Sequence, residues 1–374
     1  MVELQDIFRR HGAEYLESYI LSTVQAKAMK AILSCRTAAL GAHVDRCDEC
    51  GFEQISYNSC RNRHCPKCQT FAKEQWIDKQ QINLLNAQYF HVVFTVPDDL
   101  HPLFYQNQKR MYGLLFKAAS ETLMELCADP KYLGAMPGIT AVLHTWGQSL
   151  HYHPHLHCIV TGGGLAEGNR WVHSRKKFFL PVKVMSRKFR GKFLHLLKKE
   201  ILDFFGGAEH LSDPSHFSAI VDTLYKKDWV VYCKKPFGNA AKVIAYLGRY
   251  THRVAISNNR IAKLENGLVS FRWRDYKDHN RMKTMSLTAE EFIRRFLMHV
   301  LPSGFRKIRH YGLFASRDKS RRLTLCRRLT RTKRFLVQKI SAMEKLAAIL
   351  GKDFNLCPRC GIGHLCRDPP IGQN

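Results

Sequence analysis

Two Cys-x-x-Cys pairs, Cys47-Asp-Glu-Cys50 and Cys65-Pro-Lys-Cys68, flank a stretch that carries no hydrophobic periodicity. Their neighbours are Asp, Glu, Arg, Asn and Lys, so this part of the chain has little apolar surface to bury. A tetrahedral zinc ion needs four soft ligands, and two such knuckles supply them at small entropic cost. The spacing predicts one structural zinc held by Cys47, Cys50, Cys65 and Cys68, with every coordination position filled. Cys60 and His64 lie between the knuckles; they are either further ligands or, for Cys60, a buried thiol. Arg61 and Arg63 in the same run suit phosphate contact. Near the other end, Cys357, Cys360, His364 and Cys366 form a candidate second zinc site.

The chain has 374 residues, 45% of them hydrophobic, enough for two or three globular domains. Lys and Arg number 59 against 31 Asp and Glu, a net charge of +28. Self-repulsion on that scale is costly unless a polyanion is the usual partner. No basic amphipathic anchor or lipidation signal accompanies it, which points to nucleic acid rather than a membrane. The amino-terminal residues lack an apolar core of the signal-peptide type, and no uncharged apolar run reaches spanning length. The expectation is a cytoplasmic, nucleoid-associated bacterial protein whose 13 Cys are metal ligands and reduced thiols.

Residues 1 to about 40 read as helical, as do 71–85, 107–127 and 186–206. Tyr89–Val96, Thr140–Trp146, a run from His155 to the glycines 162–164, and Asp228–Cys233 read as strands. Residues 253–275 suggest a hairpin with Glu265-Asn-Gly267 as the turn. This mixture predicts an α+β fold. Three divisions are expected: a helical, zinc-binding DNA-recognition domain at 1–86, a catalytic domain at 87–305 and a basic carboxy-terminal segment at 306–374. From Arg306 to Arg334 there are 12 Lys or Arg and one acid, Asp318. That imbalance suits a segment tracking DNA better than a solvated face of alternating pairs.

Two segments carry chemistry. In His151-Tyr-His-Pro-His-Leu-His-Cys158, Pro154 is poorly tolerated within a central strand, so pairing is expected to begin at His155. The strand period of two then puts His155 and His157 on one face, half of a divalent metal site. In Asn239–Arg253, helical spacing groups Tyr246 with Lys242, Arg249 and Arg253, and places Tyr250 one turn on. Cations favour phenolate and grip phosphate. A phenolate can attack a phosphodiester while a metal on the His pair polarises it.

With these motifs together, the chain resembles the two-tyrosine HUH transposases of bacterial insertion sequences, specifically the IS91 family. The resemblance rests on Tyr57-Asn-Ser-Cys-Arg-Asn-Arg-His-Cys-Pro-Lys-Cys-Gln69, His155-Leu-His157 and Tyr246-Leu-Gly-Arg-Tyr250, in that order. It implies a central antiparallel HUH sheet flanked by helices, and Mg²⁺ or Mn²⁺ as catalytic cofactor. It implies rolling-circle-like transposition of single-stranded ends and target through a 5′-phosphotyrosine link, with Tyr246 and Tyr250 as nucleophiles. A third polar metal ligand is usual; Gln148 is the candidate by proximity, with His151 and His153 as further ones. A plasmid or phage replication initiator or a relaxase would share the chemistry without the cysteine-rich domain. A non-catalytic zinc regulator would have no need of His155, His157 and Tyr246 together.

Overall fold

The computed structural model describes residues 2–175, 179–234, 255–276, 278–333, 351 and 353–367, with Val243, Tyr246, Gly248, Glu344, Ala347 and Ala348. The fold is α+β with antiparallel sheets.

The expected amino-terminal helical region is two helices, α1 (Leu4–Ser18) and α2 (Thr23–Ser34). Ser22 ends the continuity: its hydroxyl accepts from the Gln25 amide while the Gln25 side chain reaches back, a capping box. Ile20 is fully exposed in this break. Strands β1 (Ala42–Cys47) and β2 (Glu53–Tyr57) follow, then α3 (Pro66–Gln81), which starts on Pro66, where a missing N–H costs nothing.

The main sheet contains β3 (Tyr89–Thr95), β4 (Met136–Trp146), β5 (Tyr152–Ala166), β6 (Arg170–His173), β7 (Val231–Lys234) and β11 (Ile308–Gly312). Its order is β11-β4-β5-β3-β7, with β6 paired to the far end of β5, and every pairing is antiparallel. One face carries Val92, Phe94, Leu156, Cys158 and Val160 and packs on helices α4 (Gln108–Ala128) and α5 (Val182–Leu197). The opposite face carries Tyr89, Val142 and Ile159 and packs against Leu84, Val243 and Leu323. The period of two that buries these alternate residues also decides where the histidines project.

Two strand expectations need correction. β5 begins at Tyr152, so Pro154 lies within it. It is tolerated because the β4–β5 register shifts between His144 and Trp146, and pairing with β3 stops at Thr95↔His155. No ladder partner there asks for the missing amide. The glycines 162–164 continue the strand rather than ending it. A Cβ on Gly164 would lie 2.6 Å from the Met136 carbonyl oxygen, so the glycine permits close backbone approach.

A second sheet, β8 (Ile261–Glu265), β9 (Leu268–Asp275) and β10 (Arg281–Thr288), contains the expected hairpin. Asn266 and Gly267 both take positive φ, as a two-residue hairpin turn requires. Phe271 packs with Phe292 and Phe296 of the helix Ala289–Leu297, and Phe8 of α1 meets Phe296 edge-on. The third sheet is β12 (Leu365–Arg367) with β1 and β2. The expected division at residue 306 does not follow this packing. β11 is an edge strand of the main sheet, and β12 belongs to the sheet of β1 and β2, because backbone pairing groups residues by ladder rather than by charge.

Candidate active site

His144 of β4 and His155 and His157 of β5 converge on the face of the main sheet that carries Val142 and Ile159. Their ring nitrogens lie within 4.8 Å of one another, close enough to share one ion. His144 and His157 are buried and His155 is half-buried. The Nδ1–H of His155 points to the His153 carbonyl at 2.7 Å, which turns its Nε2 lone pair toward the cluster. His155 Nε2 stands 3.1 Å from His157 Nε2. Burial lowers the pKa of His155 to about 3 and holds His157 well below its ordinary value, so both rings are neutral and can ligate.

His91 of β3 extends the cluster. Its Nε2 lies 2.7 Å from His157 Nδ1, and its Nδ1 is 3.5 Å from the Tyr246 hydroxyl. Burial lowers its pKa to about 4, with Lys234 contributing. Tyr246 is half-buried and meets the His91 ring edge-on. Val243, one helical turn before it, packs on the histidine face. Gly248 is needed there because a Cβ would strike the side chain of Ile77 on α3. Lys242, Arg249, Tyr250 and Arg253, expected around Tyr246, lie outside the described residues.

The candidate third ligands have other partners. The Gln148 amide donates to the Tyr276 hydroxyl, just beyond β9. His151 is exposed and pairs with Ser149. His153, displaced by the irregularity at Pro154, joins Asp98 and His101. Sequence reasoning missed His144 and His91, which sit in runs read only as buried strands. The alternation that placed His155 and His157 together would have put His144 on one face with Val142.

The cysteines form two groups of four, and the partners are not those expected. Cys65 and Cys68 meet Cys35 and Cys60, with Sγ separations of 3.6 Å for Cys35–Cys68, Cys60–Cys68 and Cys35–Cys65. Cys47 and Cys50 meet Cys357 and Cys360, at 3.8 Å for Cys47–Cys360 and 3.7 Å for Cys50–Cys357. Zinc–sulfur bonds of about 2.3 Å place tetrahedral sulfurs about 3.8 Å apart, and disulfides are much shorter. Both groups therefore fit zinc, and none of the 13 Cys is disulfide-bonded.

His64 is not a ligand. Its Nε2 accepts from the Leu301 amide and its Nδ1 faces Asn62, with burial lowering its pKa to about 3. Arg63, expected on phosphate, donates to the Phe305 carbonyl at 2.7 Å and so ties this module to the residues before β11. Arg61 is exposed. His364 and Cys366 lie outside both groups, because β12 carries them along the edge of β1: the His364 amide donates to Asp48, and Cys366 pairs with Arg46 in the ladder. The basic run is the edge strand β11 and a helix at Lys319–Leu329. A groove beside β11 is lined by Lys109, Arg306, Arg309, His310 and Lys319, and by no acid among the described residues.

Sequence comparisons meet this geometry at both of its centres. A family model described as a transposase zinc-binding domain matches residues 7–96, and one described as a putative transposase matches residues 138–322. A putative transposase, y4qJ, of Sinorhizobium fredii is 47% identical over 373 residues, covering 97% of this chain and 94% of the relative. The chain belongs to the IS91 family of transposases. The transposase for insertion sequence element IS801 of Pseudomonas savastanoi pv. phaseolicola is 29% identical over 316 residues, 82% of this transposase and 74% of the relative. No solved structure matches this transposase. It is a DNA-processing enzyme with a zinc-binding domain, and among its described residues no helix is long and apolar enough to cross a membrane.

Proposed function

We propose that this transposase cuts and rejoins single-stranded DNA at transposon ends through a 5′-phosphotyrosine intermediate, in a rolling-circle-like cycle. The observation that carries the reading is the line from Tyr246 through His91 to His157, which links a hydroxyl nucleophile to a three-histidine cluster.

His144, His155 and His157 would hold a divalent cation, whose contribution is to draw charge from the non-bridging oxygens of the scissile phosphate. Three imidazoles match Mn²⁺ better than Mg²⁺, which prefers oxygen ligands. With His157 Nε2 turned to the cluster, its Nδ1–H donates to His91 Nε2. Neutral His91 then carries its own proton on Nδ1, the atom facing Tyr246. That proton stabilises phenolate character on the attacking oxygen. Attack forms the Tyr246 oxygen–phosphorus bond and breaks the bond to the 3′-oxygen; the phenol proton passes to solvent and the departing 3′-oxygen takes one up, so it leaves as a hydroxyl. The phosphodiester energy is kept in the phosphotyrosine, so a 3′-hydroxyl can reverse the step on another strand. The resemblance gives Tyr250 the second such attack. The groove beside β11, where cations and aromatic rings line the wall together, suits the strand backbone and its bases.

The test is incubation of the full chain with single-stranded DNA carrying the element ends and Mn²⁺. A protein–DNA adduct that survives denaturation is expected, and it should be lost when both Tyr246 and Tyr250 are replaced by Phe. Replacing His155 and His157 by Ala should abolish cleavage with zinc content unchanged. Cleavage by the wild-type protein without any adduct would overturn the tyrosine mechanism.

A further inference from the structure

We propose that a zinc ribbon in this protein is split between the two ends of the chain, with one ion held by Cys47 and Cys50 together with Cys357 and Cys360. The matched zinc-binding domain ends at residue 96, so it assigns no role to the second pair.

The two knuckles are built alike. Each reads Cys-x-x-Cys-Gly, and in each the glycine has positive φ, +69° at Gly51 and +68° at Gly361. In each the glycine amide donates to the carbonyl of the first cysteine, at 3.2 Å in Gly51→Cys47 and 3.0 Å in Gly361→Cys357. In each a backbone bond closes the hairpin around the turn: Cys47 to Phe52 at 2.9 Å, Cys357 to Gly363 at 2.8 Å. Amides also point at sulfur, from Cys50 to Cys47 and from Arg359 to Cys357, as thiolate ligands require. Cys65-x-x-Cys68 differs, because its chain runs straight into α3.

The backbone around the pair is committed to the same closure. β12 adds to β1 with Cys47 opposite Leu365 and Asp45 opposite Arg367. Asp48 accepts from the His364 amide at 2.7 Å, and Arg367 reaches Asp45 and His43. At Gly363 a Cβ would come within 2.5 Å of Cys47 Sγ, so only glycine lets the second hairpin approach the first knuckle. A three-residue strand has too little ladder to hold a chain end by itself. A shared ion supplies the missing free energy and exists only when both ends are present.

Zinc per chain, measured by elemental analysis of the full-length protein, tests the pairing without reference to catalysis. Wild type should hold two ions. Cys47→Ser with Cys50→Ser should hold one, as should Cys357→Ser with Cys360→Ser. Combining all four substitutions should still leave one, on Cys35, Cys60, Cys65 and Cys68. His364→Ala with Cys366→Ser should leave two. A combined variant with no zinc would overturn the proposal, since pairings within each segment lose both ions. Thiol alkylation of the unmodified protein during chelation provides a test that needs no variant. Cys47, Cys50, Cys357 and Cys360 should become reactive as one set. Reaction of Cys47 and Cys50 in step with Cys65 and Cys68 would overturn it.

Discussion

The Nε2 of His91 lies 2.7 Å from the Nδ1 of His157, and the same imidazole meets the ring of Tyr246 edge-on. One side chain thus touches both a proposed ligand and the proposed nucleophile. Outer hydrogen bonds to metal-ligating histidines fix tautomer and orientation, and their loss typically costs about 10–100-fold in affinity or activity. His91→Ala should slow adduct formation by that order at saturating Mn²⁺. The check is the single-turnover rate, with Mn²⁺ affinity measured in parallel. An unchanged rate would leave His91 as packing alone.

His144 and Gln148 make opposite predictions as third ligand. His144 shares the cluster, whereas the Gln148 side chain is engaged by Tyr276. His144→Ala should therefore weaken Mn²⁺ binding and remove most cleavage, while Gln148→Ala keeps both within a few-fold. Calorimetric titration of Mn²⁺ into each variant distinguishes them. The reverse pattern would restore Gln148.

What was legible in the sequence follows the range of the interaction. His155 and His157 are two apart on one strand, so the period of the strand brings them together. His144 and His91 reach the same face from β4 and β3, and that requires knowing which strands neighbour β5. The cysteines show the same limit more sharply. Two knuckles close in sequence suggest one ion, yet each finds its partners elsewhere: Cys65 and Cys68 at Cys35 and Cys60, Cys47 and Cys50 across the length of the chain. The Gly after Cys50 and after Cys360 was the available signal, since Gln69 follows Cys68 instead. The helix break at Tyr19–Ser22 was written in the Ser22/Gln25 capping box, and helical periodicity alone reads across it.

Lys307 provides a pH prediction. Its ammonium is buried with no hydrogen-bond partner among the described residues, and Arg63 adds repulsion. Burial lowers its pKa from 10.5 to about 7. Between those values the unfolded chain holds the proton more tightly than the fold does. This residue's contribution to stability therefore rises as pH climbs through the window, and its full cost is present below about 7. Lys307→Met should raise stability at pH 7 by a few kcal/mol and flatten the rise between pH 7 and 10. Denaturant melts across that range measure both. A wild type whose stability is flat there, matching the variant, would contradict the buried charge.

The groove beside β11 yields a prediction about binding rather than chemistry. Arg306 and Lys319 line it, no acid among the described residues does, and Arg309 is stacked on Phe116 and Phe305, so the first two are the better probes. If a single strand runs there, each cation that neutralises a phosphate releases counterions on binding, and the logarithm of affinity falls by about 0.7 per contact per logarithm of salt. Arg306→Ala with Lys319→Ala should lower that slope by about 1.4 in anisotropy titrations with a long single-stranded oligonucleotide. Adduct formation on a short oligonucleotide that fills only the histidine site should stay near wild type at saturating DNA. A slope unchanged by the double substitution would remove this groove from the DNA path and leave the reading of the histidine site untouched.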